Sequence, residues 1–279
     1  MKKWYVAPFF AVLGGCAAMP AVDDAAQSLA RAESAFAADS VRSDMRMAFL
    51  GHFAREGVLV RNGWVNARDY FTPRPAPPIV LDWRPAFVVV AQSGDLGLST
   101  GPWKLTSRER PADPPATGEF CSVWQRDRDG QWRVIVDIGI NHRDPARWQA
   151  PLSARTVGAG DVRPTVSFVD MEARFAAYSA DLGLRRAYAT YGSPAMQLLR
   201  QGSPPVAGRD AAVASPALQD ERIEWTIEHG ATSLAGDLAF ARGHYAAAAA
   251  PAKTLGDFLR VWEVERGEWR ILLDVTNPR

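Results

Sequence analysis

The sequence predicts an α+β protein in which one domain is built twice in tandem. Helical spacing opens each half: Leu29, Phe36, Met45 and Phe49 in the first, and Met171, Phe175, Tyr178 and Leu182 in the second. Strand-like alternation closes each half, clearest in Ile223-Glu-Trp225-Thr-Ile227-Glu-His229. The same motifs also recur in the same order. Glu33-Ser-Ala-Phe36 returns as Glu172-Ala-Arg-Phe175, Leu59-Val-Arg61 as Leu198-Leu-Arg200, and Leu81-Asp-Trp83 as Ile223-Glu-Trp225. Gly94-Asp95-Leu96 matches Gly236-Asp237-Leu238, Val123-Trp124 matches Val261-Trp262, and Gly130-Gln-Trp132-Arg133 matches Gly267-Glu-Trp269-Arg270. Helices followed by a run of antiparallel strands is an α+β arrangement.

In chain order, Lys2 and Lys3 precede an apolar run from Trp4 to Leu13 and then Gly14-Gly15-Cys16. Positive charge, a short apolar core and small residues are the parts of a secretory signal. Leu13-Gly14-Gly15-Cys16 resembles the lipobox of bacterial lipoproteins, which implies a signal peptide over 1–15, acylation of Cys16 and a tether over 16–23. Ala17, rather than Asp, implies an outer-membrane destination with the protein facing the periplasm, so the expected place is the bacterial cell envelope. The first domain is expected at 24–148, a linker rich in Pro and Gly at 149–161, and the second, more degenerate domain at 162–279. Asp127-Arg-Asp-Gly130 and Glu265-Arg-Gly267 read as hairpin turns.

Composition excludes some classes. The 279 residues carry 32 Lys+Arg against 31 Asp+Glu with no Lys/Arg block, which argues against nucleic acid as the main partner. The 2 cysteines and 4 histidines are too few and too scattered for a disulfide framework or a metal cluster, so no metal site is expected. Cys121, flanked by Phe120 and Val123, reads as a buried small residue. No P-loop, Gly-x-Ser-x-Gly elbow or dinucleotide fingerprint is present, and no cofactor is implied.

The motif order resembles the SnoaL-like branch of the nuclear transport factor 2-like superfamily, chiefly through Leu96-Gly-Leu-Ser-Thr-Gly101 and Gly130-Gln-Trp132-Arg133-Val-Ile-Val-Asp137. The resemblance implies two cone-like domains, each a curved antiparallel sheet closed by N-terminal helices around a pocket. It implies ligand or partner binding in some relatives and isomerase, cyclase or dehydratase activity in others, so fold alone does not name a reaction.

Candidate chemistry is sparse. Asp95 and Asp237 read as residues that close their own turns. On the last strand of the first copy, simple alternation puts Val134 and Val136 on one face and Arg133, Ile135 and Asp137 on the other. Asp137 and its counterpart Asp274 then read as partners of surface arginines, with a catalytic role the lesser reading. His229, beside Trp225 and Ile227, is the remaining acid/base candidate. Trp64, Trp83, Trp103, Trp225 and Tyr245 are the expected ligand contacts. The expectation is a lipid-anchored protein, held to the membrane through Cys16, that binds a small, largely apolar ligand or an envelope protein partner. The alternative is a small-molecule lyase, isomerase or hydrolase.

Overall fold

The computed structural model describes residues 22–158, 164–218 and 221–279. The first copy runs α1 (Val22–Arg42), α2 (Met45–His52), β1 (Phe53–Val60), β2 (Trp64–Asn66), α3 (Ala67–Phe71), β3 (Ile79–Trp83), β4 (Phe87–Val90), β5 (Leu96–Ser107), β6 (Ala116–Arg126), β7 (Trp132–Asn141) and β8 (Ser153–Thr156). The second runs α4 (Phe168–Leu182), α5 (Leu184–Tyr191), β9 (Gly192–Arg200), β10 (Val206–Ala207), α6 (Arg209–Ala214), β11 (Ile223–Thr232), β12 (Leu238–Ala247), β13 (Thr254–Glu265) and β14 (Glu268–Pro278). This is the expected α+β duplication.

Local chemistry explains the element boundaries. Asp44 caps α2 by accepting from the Met47 backbone N–H, Asn66 caps α3 through Arg68 and Asp69, and Ser167 caps α4 through Asp170. In the second hairpin Arg266 and Gly267 both have positive φ (51° and 80°), which lets a two-residue turn follow the twist of β13 and β14.

The strand order in the first sheet is β2-β1-β7-β6-β5-β4-β8, with β3 also on β5; the second is β10-β9-β14-β13-β12-β11. Within each, one strand from the start of the copy lies parallel to the last long strand: β1 beside β7, and β9 beside β14. The helices cover one face of each sheet. Beneath them lie separate apolar clusters, one containing Leu29, Phe36, Phe53 and Trp124, the other Phe175, Tyr188, Phe258 and Trp262. The opposite faces of the two sheets meet in a third cluster, where Leu98, Val123, Val136 and Ile138 join Phe240, Leu259, Leu273 and Val275. Cys121 lies in this shared layer and is fully buried, which pushes its thiol pKa well up.

Two expectations change here. Residues 149–161 are not only a linker, because β8 pairs in parallel with β4 and Val157 is buried in the shared layer. Arg155 in β8 also pairs with Glu263 of the second copy at 2.7 Å. Asp95 and Asp237 do more than close their own turns. Asp95 accepts from the Leu234 backbone N–H at 3.1 Å, and Asp237 accepts from that of Gln92 at 2.9 Å. Each turn's aspartate therefore caps the other copy's turn, a reciprocal tie that a duplicated sequence supplies with one motif.

Candidate functional site

The site begins with a β-bulge. On β6, Val123 pairs with Val136 but Trp124 pairs with Val134, so Ile135 is an extra residue in β7. A bulge reverses the alternation beyond it. Trp132 and Val134 pack in the cluster under the helices, whereas Val136, Ile138 and Ile140 pack in the layer between the sheets. Asp137 is thereby turned toward the helices. The expected surface pair with an arginine on its own strand is not formed, and Arg133 instead contacts Asp127 at 3.2 Å.

Asp137 lines a cavity of about 300 Å³ between α1, α2 and the helix-side face of the first sheet. Phe36, Phe49, Trp83, Trp103 and Phe120 form much of its wall, and Glu33, Arg61, Ser122, Asn141 and Asn277 are its other polar groups. Glu33 is fully buried and accepts from the indole N–H groups of Trp83 (2.7 Å) and Trp124 (2.8 Å). Burial pushes its pKa up to about 7, even though both indole bonds favour the ionised form; the nearby Asp137 adds to the rise. Asp137 accepts from the Ser122 hydroxyl at 2.8 Å. Burial pushes its pKa up to about 6 against the opposing effects of Ser122 and Arg61. Two protonatable carboxyl groups thus face an aromatic-walled space.

Small residues make the room. A Cβ at Gly118 would lie 2.5 Å from the Trp103 ring, and one at Gly97 would lie 2.4 Å from Leu29 on α1. These two positions let Trp103 lie against the sheet and let the helix approach it. Asn277, from the last strand of the second copy, donates to the Gly139 carbonyl at 2.6 Å and borders the same cavity.

In the second copy the inner part of the corresponding space is filled. The copies match at Glu33/Glu172, Phe36/Phe175, Trp83/Trp225, Phe120/Phe258, Trp124/Trp262 and Asp137/Asp274, but Ser122 is replaced by Arg260. Arg260 is fully buried, pairs with Glu172 and donates through Nε to Asp274 at 2.7 Å. Its guanidinium carbon lies 3.9 Å from the Phe175 ring centre and 4.3 Å from that of Trp225. Arg200, the counterpart of Arg61, donates to the other Asp274 oxygen at 2.7 Å. Burial alone would raise the Asp274 pKa; the two arginines outweigh it and hold the carboxyl below its ordinary value. Outside this plug remains a depression of about 440 Å³ lined by Arg200, Trp225, Tyr245 and Thr276.

Part of the chain, just under half in each comparison, is similar to nuclear transport factor 2-like proteins of known structure. A superfamily member from Salmonella enterica is 15% identical, with 45% of this chain covering 96% of it at a TM-score of 0.35. A ketosteroid isomerase-like protein from Erwinia carotovora is 14% identical, with 42% of this chain covering 95% of it, again at 0.35. A protein of unknown function from Pseudomonas putida is 14% identical, with 47% covering 95% at 0.35. No protein-family model matches the sequence, and no curated protein matches it.

The expected site residues separate into groups. Trp83 and Trp103 line the first cavity, and Trp225 and Tyr245 line the outer depression of the second copy. Trp64 does not join them. Its indole donates to the Gly243 carbonyl at 2.9 Å, and Arg242 lies 5.1 Å over its ring, so it serves the contact between copies. His229 is exposed on β11, where an irregularity after Ile227 separates it from Trp225 and leaves its ring 5.9 Å from Phe240. Asp274 is locked between two arginines. Cys16 lies outside the described residues. Glu33, Ser122 and Arg260 were not read as site residues. The available signal was a glutamate repeated on the apolar stripe of a helix, between Leu29 and Phe36 and again before Phe175.

Proposed function

We propose that the first copy binds a small, largely apolar molecule in the cavity under α1 and α2, and that the second copy is its closed, structural counterpart. The observation that carries this reading is Ser122. Where the second copy inserts a guanidinium, the first leaves about 300 Å³ walled by aromatic rings, at the low end of ligand-pocket sizes of about 300–1,000 Å³. Trp103 offers a face for stacking, and Asp137 and Asn277 offer polar contacts along the lining.

Asp137 also favours a second reading, in which the cavity moves a proton on its ligand as an isomerase or lyase does. A carboxyl group titrating near pH 6 in an apolar space is matched to that task. Tryptophan fluorescence titration against a panel of small aromatic and alicyclic compounds, with product formation followed in parallel, separates the two. Binding without turnover supports the first reading. Turnover lost in Asp137→Asn but retained in Trp103→Ala supports the second.

The proposal includes attachment to the bacterial envelope through acylated Cys16, with the periplasm as the working compartment. It rests on the lipobox-like Leu13-Gly-Gly-Cys16. Labelled palmitate should enter the wild-type chain and not Cys16→Ala; equal uptake by both would remove the anchor from the proposal. An envelope protein partner is the remaining part of this reading, and affinity capture from cross-linked membranes tests it.

A further inference from the structure

The second copy contains, covalently attached, a filler for the space that is open in the first. Six residues around that space are of the same type in both copies: two carboxylates, two phenylalanines and two tryptophans. In the second copy they surround one guanidinium, ion-paired on two sides by Glu172 and Asp274 and faced by Phe175, Trp225 and Phe258 at 3.9, 4.3 and 5.1 Å. Carboxylates beside aromatic faces suit a desolvated cation, because the ring quadrupole and the ion pair attract the same charge.

Charge counting gives the same answer. In the second copy two acids meet two guanidinium groups, Arg260 and Arg200. In the first, the groups facing Glu33 and Asp137 are each other, from α1 and β7, and Arg61, from the end of β1. Arg61 is exposed, donates to its neighbour's carbonyl and forms no ion pair within 4 Å among the described residues. Ser122 contributes a hydroxyl where the second copy contributes a charge. The first set therefore holds one cation fewer than the second, and Glu33 takes the Trp83 indole N–H where Glu172 takes the guanidinium.

We propose that the ligand of the first cavity is a small organic monocation, an alkylguanidinium or alkylammonium, whose charged end takes the place that Arg260 occupies in the second copy. This rests on the cavity being a binding site and names the class of its ligand. The apolar part of the ligand lies along Trp103 and Leu105 toward the opening. Binding requires both carboxyl groups ionised, so protons leave as the ligand enters, and affinity falls as the pH drops through about 7 and then about 6.

The test uses the full chain and four probes that share a butyl chain: butylguanidinium, butylammonium, butylurea as the neutral isostere of the guanidinium, and pentanoate. Calorimetric and fluorescence titrations at pH 8 should show butylguanidinium binding at least about tenfold more tightly than butylurea, and pentanoate most weakly. Ser122→Arg should abolish guanidinium binding while thermal unfolding stays cooperative. Asp137→Asn should weaken the cation but not the urea. If Ser122→Arg does not fold, the wild-type contrast of butylguanidinium with butylurea decides alone. Equal or tighter binding of butylurea or pentanoate overturns the cation and leaves a small-molecule site standing. Failure of all four probes, together with failure of the apolar panel described above, overturns both.

Discussion

The two copies share a fold and a cage of side chains yet differ in how the cage is completed. In the second, Arg260 pairs with both Glu172 and Asp274, Arg200 supplies the second positive charge, and the guanidinium fills the inner space. In the first, Ser122 leaves Glu33 and Asp137 facing a cavity with raised pKa values. One position on β6 and its counterpart on β13 therefore separate a cage filled by a guanidinium from one left open. The comparison teaches that one side chain decides whether the same cage of acids and aromatic rings closes on itself or stays open.

The strongest way to break this comparison is to empty the second cage. Arg260→Ser leaves two buried carboxyl groups without their main partner, and removing one side of a buried pair costs about 3–5 kcal/mol. Chemical denaturation should show a loss of that size. A change within error would mean that the arginine is not what holds the second copy closed.

Individual carboxyl groups should respond oppositely to pH: burial raises Glu172 as it raises Glu33, whereas Asp274 is held below its ordinary value. The Glu33 pKa is raised from 4.5 to about 7, so the folded state holds a proton that the unfolded state has released. Stability therefore falls as pH rises through that window, by about 3 kcal/mol in ligand-free protein. Glu33→Gln should flatten the decline, read as unfolding midpoint against pH. Asp274 is depressed, so its contribution is present above its unfolded pKa of 3.8 and is lost on acidification below it. Asp274→Asn should leave the neutral-to-alkaline slope intact.

A third contrast concerns the aromatic that ends each cavity. Trp103→Ala should weaken ligand binding by roughly 1–3 kcal/mol, about ten- to hundredfold, whereas Tyr245→Ala should leave the same titration unchanged. An equal loss in both would place the ligand between the copies instead.

The smallest effect is expected at the reciprocal turns. Asp95→Ala and Asp237→Ala each remove an acceptor for a backbone N–H of the other copy, worth about 1 kcal/mol apiece. The buried Asp237, which also accepts from Ser233, should show the larger shift in denaturant midpoint.

Much of this was legible beforehand in particular residues. The paired motifs Glu33/Glu172, Trp83/Trp225 and Gly94-Asp95/Gly236-Asp237 announced the duplication, and spacing and turn residues announced helices followed by strands. Asp137 was misplaced because alternation was counted straight through Ile135, and a bulge leaves no local mark in a run as uniformly apolar as Val134-Ile-Val136. His229 was misplaced by the same kind of slip on β11. Trp64 was drawn into the pocket because a large aromatic looks alike from sequence whether it faces a ligand or a second domain.

Propensity and periodicity act over a few residues, so the chain's order alone set its helices, its strands, its repeat and the aromatic stock of each core. Which face a residue presents beyond a bulge, which apolar face meets the other copy, and whether two acids meet an arginine or open space depend on groups far apart in sequence. Arg260 and Glu172 are 88 residues apart, and Glu33 and Trp124 are 91. Only the assembled fold brings them together. There, desolvation makes the meeting of charges decisive, since an acid buried without a cation must keep its proton or find a ligand that carries one.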